Sequence, residues 1–322
     1  MDKLVEQIAD AVRECSKIIL SAERSESIID SKEGHANFVT LYDKKVQEEL
    51  FMRLREILPE AVLVGEEEDV HSSIEKGFAF IVDPIDGTTN FIKDYKTSCI
   101  SVGLTKDGLQ YIGVVYNPYL DEMFTAQEGK GAYLNGKPIS VSRNPMSNSI
   151  VLMGTAPYYE ELRERTLELI KGYLEGALDI RRSGSAALDL CAVAAGRADY
   201  FVELRLCPWD FAAGSLIVKE AGGIVTTPDG QELTLDRACG VVAFNGVKEL
   251  FLTGIATDIR KSIADLEGVI SVSQTSDNET HVIYNAKELS RQILLEKINH
   301  MVEQESGHPK KPGVRYTDPL DK

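Results

Sequence analysis

Asp83 and Asp86 stand three residues apart in the run Ile81-Val82-Asp83-Pro84-Ile85-Asp86-Gly87-Thr88-Thr89-Asn90-Phe91. The stretch before Asp83, Phe78-Ala79-Phe80-Ile81-Val82, is apolar, aromatic and β-branched, which predicts a buried strand with Asp83 at its tip. Pro84 stops the ladder and Asp86-Gly87 supplies a turn. Thr88-Thr89-Asn90 offers groups that can cap a helix and leave its first N–H groups free for an anion. Two carboxylates at such a tip suit a hard cation held together with a phosphate. Asp-Pro and Asp-Gly are also ordinary turn dipeptides, so the signal lies in the whole string.

Two more acidic stations lie far off in the chain. Val62-Leu63-Val64-Gly65-Glu66-Glu67-Glu68 is a second apolar run ending in carboxylates, which puts Glu66 at a strand tip, although the same text fits a solvated acidic loop. Pro208-Trp209-Asp210-Phe211-Ala212-Ala213-Gly214 opens a helix with Pro in its first turn. Asp210 there either faces a site or complements the helix dipole. An oxygen donor set of this kind suits Mg²⁺, which takes a few carboxylates plus water and substrate phosphate.

Gly65-Glu66-Glu67, the Asp83 to Phe91 string and Trp209-Asp210-Phe211-Ala212-Ala213-Gly214 resemble, in order, the three signatures of the inositol monophosphatase family, whose members are Mg²⁺-dependent, lithium-sensitive phosphatases. The resemblance runs over residues 1–250. It takes in Gly129-Lys130-Gly131-Ala132-Tyr133-Leu134-Asn135-Gly136, similar to a family hairpin, and the helix end Glu220-Ala221-Gly222-Gly223.

The resemblance implies two or three Mg²⁺ ions. Glu66, Asp83 and the carbonyl of Ile85 would hold the first, and Asp83, Asp86 and Asp210 the second. It implies Asp43, Glu66 and Thr88 as the catalytic set, Thr88 and Asp43 orienting and deprotonating the attacking water. Thr40-Leu41-Tyr42-Asp43 also fits a capping box with Asp43 at the third helical position, so both roles stand open. Substrate contacts would come from Asp86, Gly87, Thr88, Gly184, Ser185, Ala186, Glu203 and Asp210. Many members carry a His just after the Asn-Phe pair. Here the text reads Ile92-Lys93-Asp94-Tyr95, which leaves the rim open.

The implied reaction is hydrolysis of a polyol or sugar phosphate, inositol monophosphate foremost, by a metal-activated water without a covalent intermediate. Fructose-1,6-bisphosphatase, histidinol-phosphatase and nucleotide 3′-phosphatase activities of the same family stay open, as does a catalytically silent binding or regulatory protein.

Composition is consistent with an enzyme of small anionic molecules. A net charge of −16 argues against nucleic acid or an anionic membrane as partner. Bound metal ions reverse that field locally where a phosphate ester sits. Met1-Asp2-Lys3-Leu4-Val5-Glu6 carries charge where a signal peptide needs an apolar core, and no stretch is long enough to span a bilayer. The five cysteines, Cys15, Cys99, Cys191, Cys207 and Cys239, form no CxxC pair and read as reduced thiols of a cytoplasmic protein. None of the His residues has zinc-site spacing.

The elements that must position these residues are mixed. Leu4, Ile8, Val12, Cys15 and Ile19, then Val46, Leu50, Leu54 and Leu58, predict two amphipathic helices. Short strands follow over 97–143, with hairpin signals at Asp107-Gly108 and Asn135-Gly136. Helical text at 158–174 then alternates with apolar runs at 199–203, 224–227 and 241–245. Periodicity gives mixed α and β with a largely antiparallel first sheet. The resemblance implies a layered αβαβα sandwich of the inositol monophosphatase/fructose-1,6-bisphosphatase type, commonly a homodimer.

Residues 251–306 read as a separate appendage. Phe251–Gly254, Ala256–Leu266, Val269–Ser273, His281–Tyr284 and Lys287–Glu303 give β-α-β-β-α, a ferredoxin-like order suited to binding an unknown partner. Leu266-Glu267-Gly268-Val269 is similar to heavy-metal-associated domains, but their paired cysteines are missing, so metal transport is not expected. The polar end, 307–322, is expected to be disordered.

Overall fold

The computed structural model describes residues 3–23, 29–31, 38–68, 73–276, 278–306 and 312–321. Helix α1 (Lys3–Leu20) buries Val5, Ile8, Val12, Cys15 and Ile19, and α2 (Leu41–Ile57) buries Val46, Leu50 and Leu54, the faces that their apolar spacing defines. Strands β1 (Ile29–Ser31) and β2 (Phe38–Thr40) pair between them. Both helices cover one side of a seven-stranded sheet of β3 (Val62–Gly65), β4 (Phe78–Asp86), β5 (Cys99–Lys106), β6 (Leu109–Asn117), β7 (Glu122–Gln127), β8 (Ala132–Leu134) and β9 (Lys137–Ile139), in that spatial order. The β3–β4 pair is parallel and the others antiparallel. At Asp107-Gly108 and Asn135-Gly136 both residues have positive φ, as two-residue hairpin turns require. A short helix, α3 (Thr88–Ile92), follows β4.

The chain then builds a second sheet and the layers around it: β10 (Ile150–Met153), α4 (Arg163–Gly176), β11 (Asp179–Arg181), α5 (Ala186–Ala194), β12 (Tyr200–Leu206), α6 (Pro208–Glu220), β13 (Ile224–Thr226) and β14 (Cys239–Phe244). The sheet order is β11-β10-β12-β14-β13. Alternation along the strands sorts the layers. Phe80, Val82, Ile100, Val102 and Val114 face α1 and α2, whereas Ala79, Ile81 and Val115 face α5 and α6. In the second sheet Leu152, Phe201, Val241 and Ala243 meet α5 and α6 from the other side. Tyr200, Val202, Val242 and Phe244 turn outward to Leu169 and Tyr173 of α4. The result is the expected αβαβα stack.

The last unit is β15 (Val247–Thr253), α7 (Thr257–Ala264), β16 (Val269–Ser276), β17 (Glu279–Asn285), α8 (Arg291–Ser306) and β18 (Gly313–Tyr316). Its sheet order is β16-β17-β15-β18, antiparallel throughout, so the ferredoxin-like pattern is present with one more strand than the sequence suggests. Two expectations are corrected. The unit's first strand starts at Val247, ahead of residue 251, because Asn245-Gly246 is the turn out of β14. The terminal stretch is not disordered over 313–321: β18 pairs with β15, and Asp318 is buried. Residues 307–311 lie outside the described residues.

The unit is tied to the sandwich by polar groups. Asp318 accepts hydrogen bonds from the hydroxyls of Tyr173, at 3.2 Å, and Tyr200, and pairs with Lys248. Buried Glu249 accepts from Ser147 and lies 2.8 Å from the His281 ring nitrogen.

Candidate active site

Residues three apart in a regular strand face opposite sides of the sheet. Asp83 and Asp86 do not, because β4 carries a bulge between them: Asp83 pairs with Ser101 and Asp86 with Cys99, three steps on one strand against two on the other. Both carboxylates therefore reach one cavity of about 330 Å³. Glu66, just beyond the end of β3, and Asp210, in the first turn of α6, open on the same cavity with Ile85, Gly87, Thr88, Gly184, Ser185, Ala186 and Glu203. Three chain segments thus deliver the four predicted acids to one place.

The three aspartates and Glu203 are held from behind. Asp86 Oδ2 accepts from Ser185 Oγ at 2.5 Å and from Ala187 N at 2.8 Å, at the start of α5. Ser185 is therefore a support for Asp86 as well as part of the wall. Asp83 Oδ1 accepts from Ile85 N at 3.0 Å and Asp210 Oδ2 from Cys207 N at 2.7 Å. Glu203 Oε1 accepts from Ala156 N at 2.9 Å. The approach of α6 depends on Gly103 and Gly113, cross-strand partners in β5 and β6: a Cβ on Gly113 would lie 2.6 Å from the Ala213 carbonyl oxygen.

Asp43 caps α2 and also contacts Thr88. Its Oδ2 accepts from Thr40 N at 2.8 Å and Thr40 Oγ at 2.5 Å, completing the capping box, while Oδ1 lies 3.4 Å from Thr88 Oγ. It is fully buried and does not line the cavity, so it reaches a substrate only through Thr88. Thr88 Oγ is also 3.2 Å from the Ile85 carbonyl. The hydroxyls of 88 and 89 do not cap α3, as the sequence suggests; Gly87, at φ +90°, is the capping position.

The electrostatics favour a cation. Burial, then repulsion from Glu66, Asp86 and Asp210, pushes Asp83 well above the ordinary carboxylate range. Burial and the Asp86 and Glu66 charges do the same to Asp210. Asp86 is also raised by burial, against the pull of its Ser185 and Ala187 hydrogen bonds. No Lys or Arg forms an ion pair with Asp83, Asp86 or Asp210 among the described residues. Hard oxygen donors in mutual repulsion fit Mg²⁺ in kind. Among the described residues no three acidic, His or Cys side chains converge tightly enough to hold an ion by themselves.

Sequence reasoning missed part of the wall: Asp189, Arg182, Arg205, Tyr158 and Tyr159. Burial raises Asp189 to about 8 and Glu203 to about 7. The available signals were positional. Asp189 follows Ser185 by one helical turn, Arg182 precedes the Gly184-Ser185-Ala186 segment, and Arg205 lies two residues after Glu203.

The family model of the inositol monophosphatase family matches residues 1–264. The chain belongs to the inositol monophosphatase family. It is 36% identical over 262 residues to Inositol monophosphatase 3 of Solanum lycopersicum, covering 79% of this chain and 97% of that one. It is 38% identical over 218 residues to Nus factor SuhB of Escherichia coli strain K12, covering 67% and 82%. A solved Thermotoga maritima IMPase superposes with a TM-score of 0.69 at 33% identity, over 76% of this chain and 93% of that one. Inositol monophosphatase family membership implies a phosphatase-type hydrolase of small phosphate esters, in a family generally dependent on Mg²⁺. Residues 265–322 lie beyond the family match. No helix among the described residues is long and apolar enough to cross a membrane.

Proposed function

We propose that this chain hydrolyses a phosphate monoester of a polyol or sugar, inositol monophosphate foremost, with two or three Mg²⁺ ions. The observation that carries this reading is the meeting of Glu66, Asp83, Asp86 and Asp210 in one cavity, beside a Thr88 hydroxyl backed by Asp43. Bound Mg²⁺ supplies positive charge for the phosphoryl oxygens and acidifies water.

The chain's own residues do the rest. Glu66, Asp83, the Ile85 carbonyl, Asp86 and Asp210 hold the cations. Thr88 donates to Asp43 or to the Ile85 carbonyl, so its lone pairs stay free to accept from the attacking water, and Asp43 is the acceptor at the end of that relay. Glu203 and Asp189 offer carboxyl groups to the hydroxyls of the substrate's other end. Gly87 must lack a side chain, because a Cβ there would lie 2.9 Å from the Thr97 carbonyl oxygen in a left-handed backbone. Five free cysteines support a reducing, cytoplasmic setting, and the family resemblance supports a homodimer.

A second reading has its own support. Several relatives carry the name Nus factor SuhB, and most of this chain's last folded unit, residues 265–322, lies beyond the family match, which suits a regulatory protein that binds partners. Phosphate release in Mg²⁺ from inositol 1-phosphate, fructose 1,6-bisphosphate, histidinol phosphate and adenosine 3′-phosphate separates the two. Turnover of at least one ester is expected. Release from none would favour the regulatory reading.

A further inference from the structure

The cavity wall is not uniformly acidic. Arg182 and Arg205 both line it. Arg182 is near enough to Asp189 and Glu203 to lower both, so part of its charge is already answered. Arg205 forms no ion pair among the described residues, although Arg53, Arg163, Arg165, Arg181, Arg197, Arg291 and Arg315 all do. Its guanidinium lies over the Tyr159 ring, 4.5 Å from the centroid. Stacking of this kind fixes the plane of the group and leaves its N–H edge free for a bidentate anion.

Strand β12 has a bulge between Glu203 and Leu206, which pair with Val241 and Cys239, three steps against two. Two residues after Glu203, Arg205 is on the face that regular alternation gives it, and the extra residue brings Leu206 to the same cavity. A polyol's hydroxyls find acceptors in Glu203 and Asp189, whereas a planar guanidinium, which only donates, is matched best by a bidentate anion.

We infer that the substrate carries a second anionic group, a phosphate or a carboxylate, besides the scissile phosphate, and that Arg205 reads it. This deepens the phosphatase reading above and rests on it.

The test compares kcat/KM in Mg²⁺ for fructose 1,6-bisphosphate, 3-phosphoglycerate and glycerol 2-phosphate in the wild type, Arg205→Gln and Arg205→Lys. The wild type should favour at least one doubly anionic ester over glycerol 2-phosphate. That ratio should fall roughly 10- to 100-fold in Arg205→Gln, chiefly through KM, and recover in part in Arg205→Lys. The arm that falls tells phosphate from carboxylate. Arg205 is exposed, so its replacement does not threaten the fold. A wild type without the preference, or a ratio unchanged by Arg205→Gln, overturns the inference while phosphatase activity stands. Release from none of the three esters, with inositol 1-phosphate still turned over, overturns the inference alone; release from inositol 1-phosphate failing as well overturns the phosphatase reading, and the inference with it.

Discussion

Asp43 Oδ2 is committed to Thr40 at the start of α2, and Oδ1 is what remains for Thr88. Burial, opposed by the Thr40 hydrogen bonds, raises this carboxyl to about 7. A base must be deprotonated to act, so turnover should fall as pH drops through and below about 7, or lower once a cation is bound nearby. Asp43→Asn should cut kcat at least ~100-fold and flatten that acid limb. It also weakens the cap, costing about 1 kcal/mol. A pH profile of both proteins checks this; an Asp43→Asn profile like the wild type's would exclude the relay. The acids were legible because strand-tip carboxylates, Gly turns and a Pro-started helix leave marks in sequence. Asp189 and Arg205 left only their positions relative to Ser185 and Glu203, since a lone charge on a helix or strand reads as surface until the opposing layer shows that it faces a cavity.

Elements decide whether those residues meet. Helix α6 brings Asp210 in only as far as Gly103 and Gly113 allow, so Gly113→Ala should push the helix off the sheet, costing about 1–3 kcal/mol and weakening Mg²⁺ binding. Calorimetric unfolding with and without Mg²⁺ reads both effects, and an unchanged Tm would deny the close approach. Segment 317–321 depends on Asp318. Burial raises its carboxyl, but Lys248 and Tyr200 outweigh that and hold it below the ordinary 3.8. A depressed folded value means that the stabilisation is complete above 3.8 and is lost as pH falls through the lower folded value. Asp318→Asn should therefore cost on the order of 2 kcal/mol at neutral pH, less than for an isolated buried pair because Asp321 also contacts Lys248. The stability gap should close in strong acid; a gap that persists there would assign the effect to packing. Periodicity made the helices and the β-α-β-β-α order legible. It hid β18, whose four residues are polar or half-buried and gain a place only by pairing with β15. It also hid both bulges, because pairing register is a property of two strands.

At the scale of the molecule, every residue assigned to the chemistry precedes Ala212, while 247–321 forms a sheet of its own docked through Glu249 and Asp318. We propose on that ground a catalytic part and an appended part, divided at Gly246. A chain ended there should keep its kcat on a small ester but lose stability, as Tyr173 and Tyr200 lose Asp318; a folded truncation without turnover would make the appended part necessary for the site. The central claim is that the four acids bind Mg²⁺ for phosphate hydrolysis. Its most direct test is initial-rate phosphate release by wild type, Asp86→Asn and Asp210→Asn, each in Mg²⁺ and in excess chelator. The expected result is turnover by the wild type in Mg²⁺ only, with each variant down by on the order of a thousandfold or more while still folded. Full wild-type activity in chelator, or near-normal release by either variant, would contradict it.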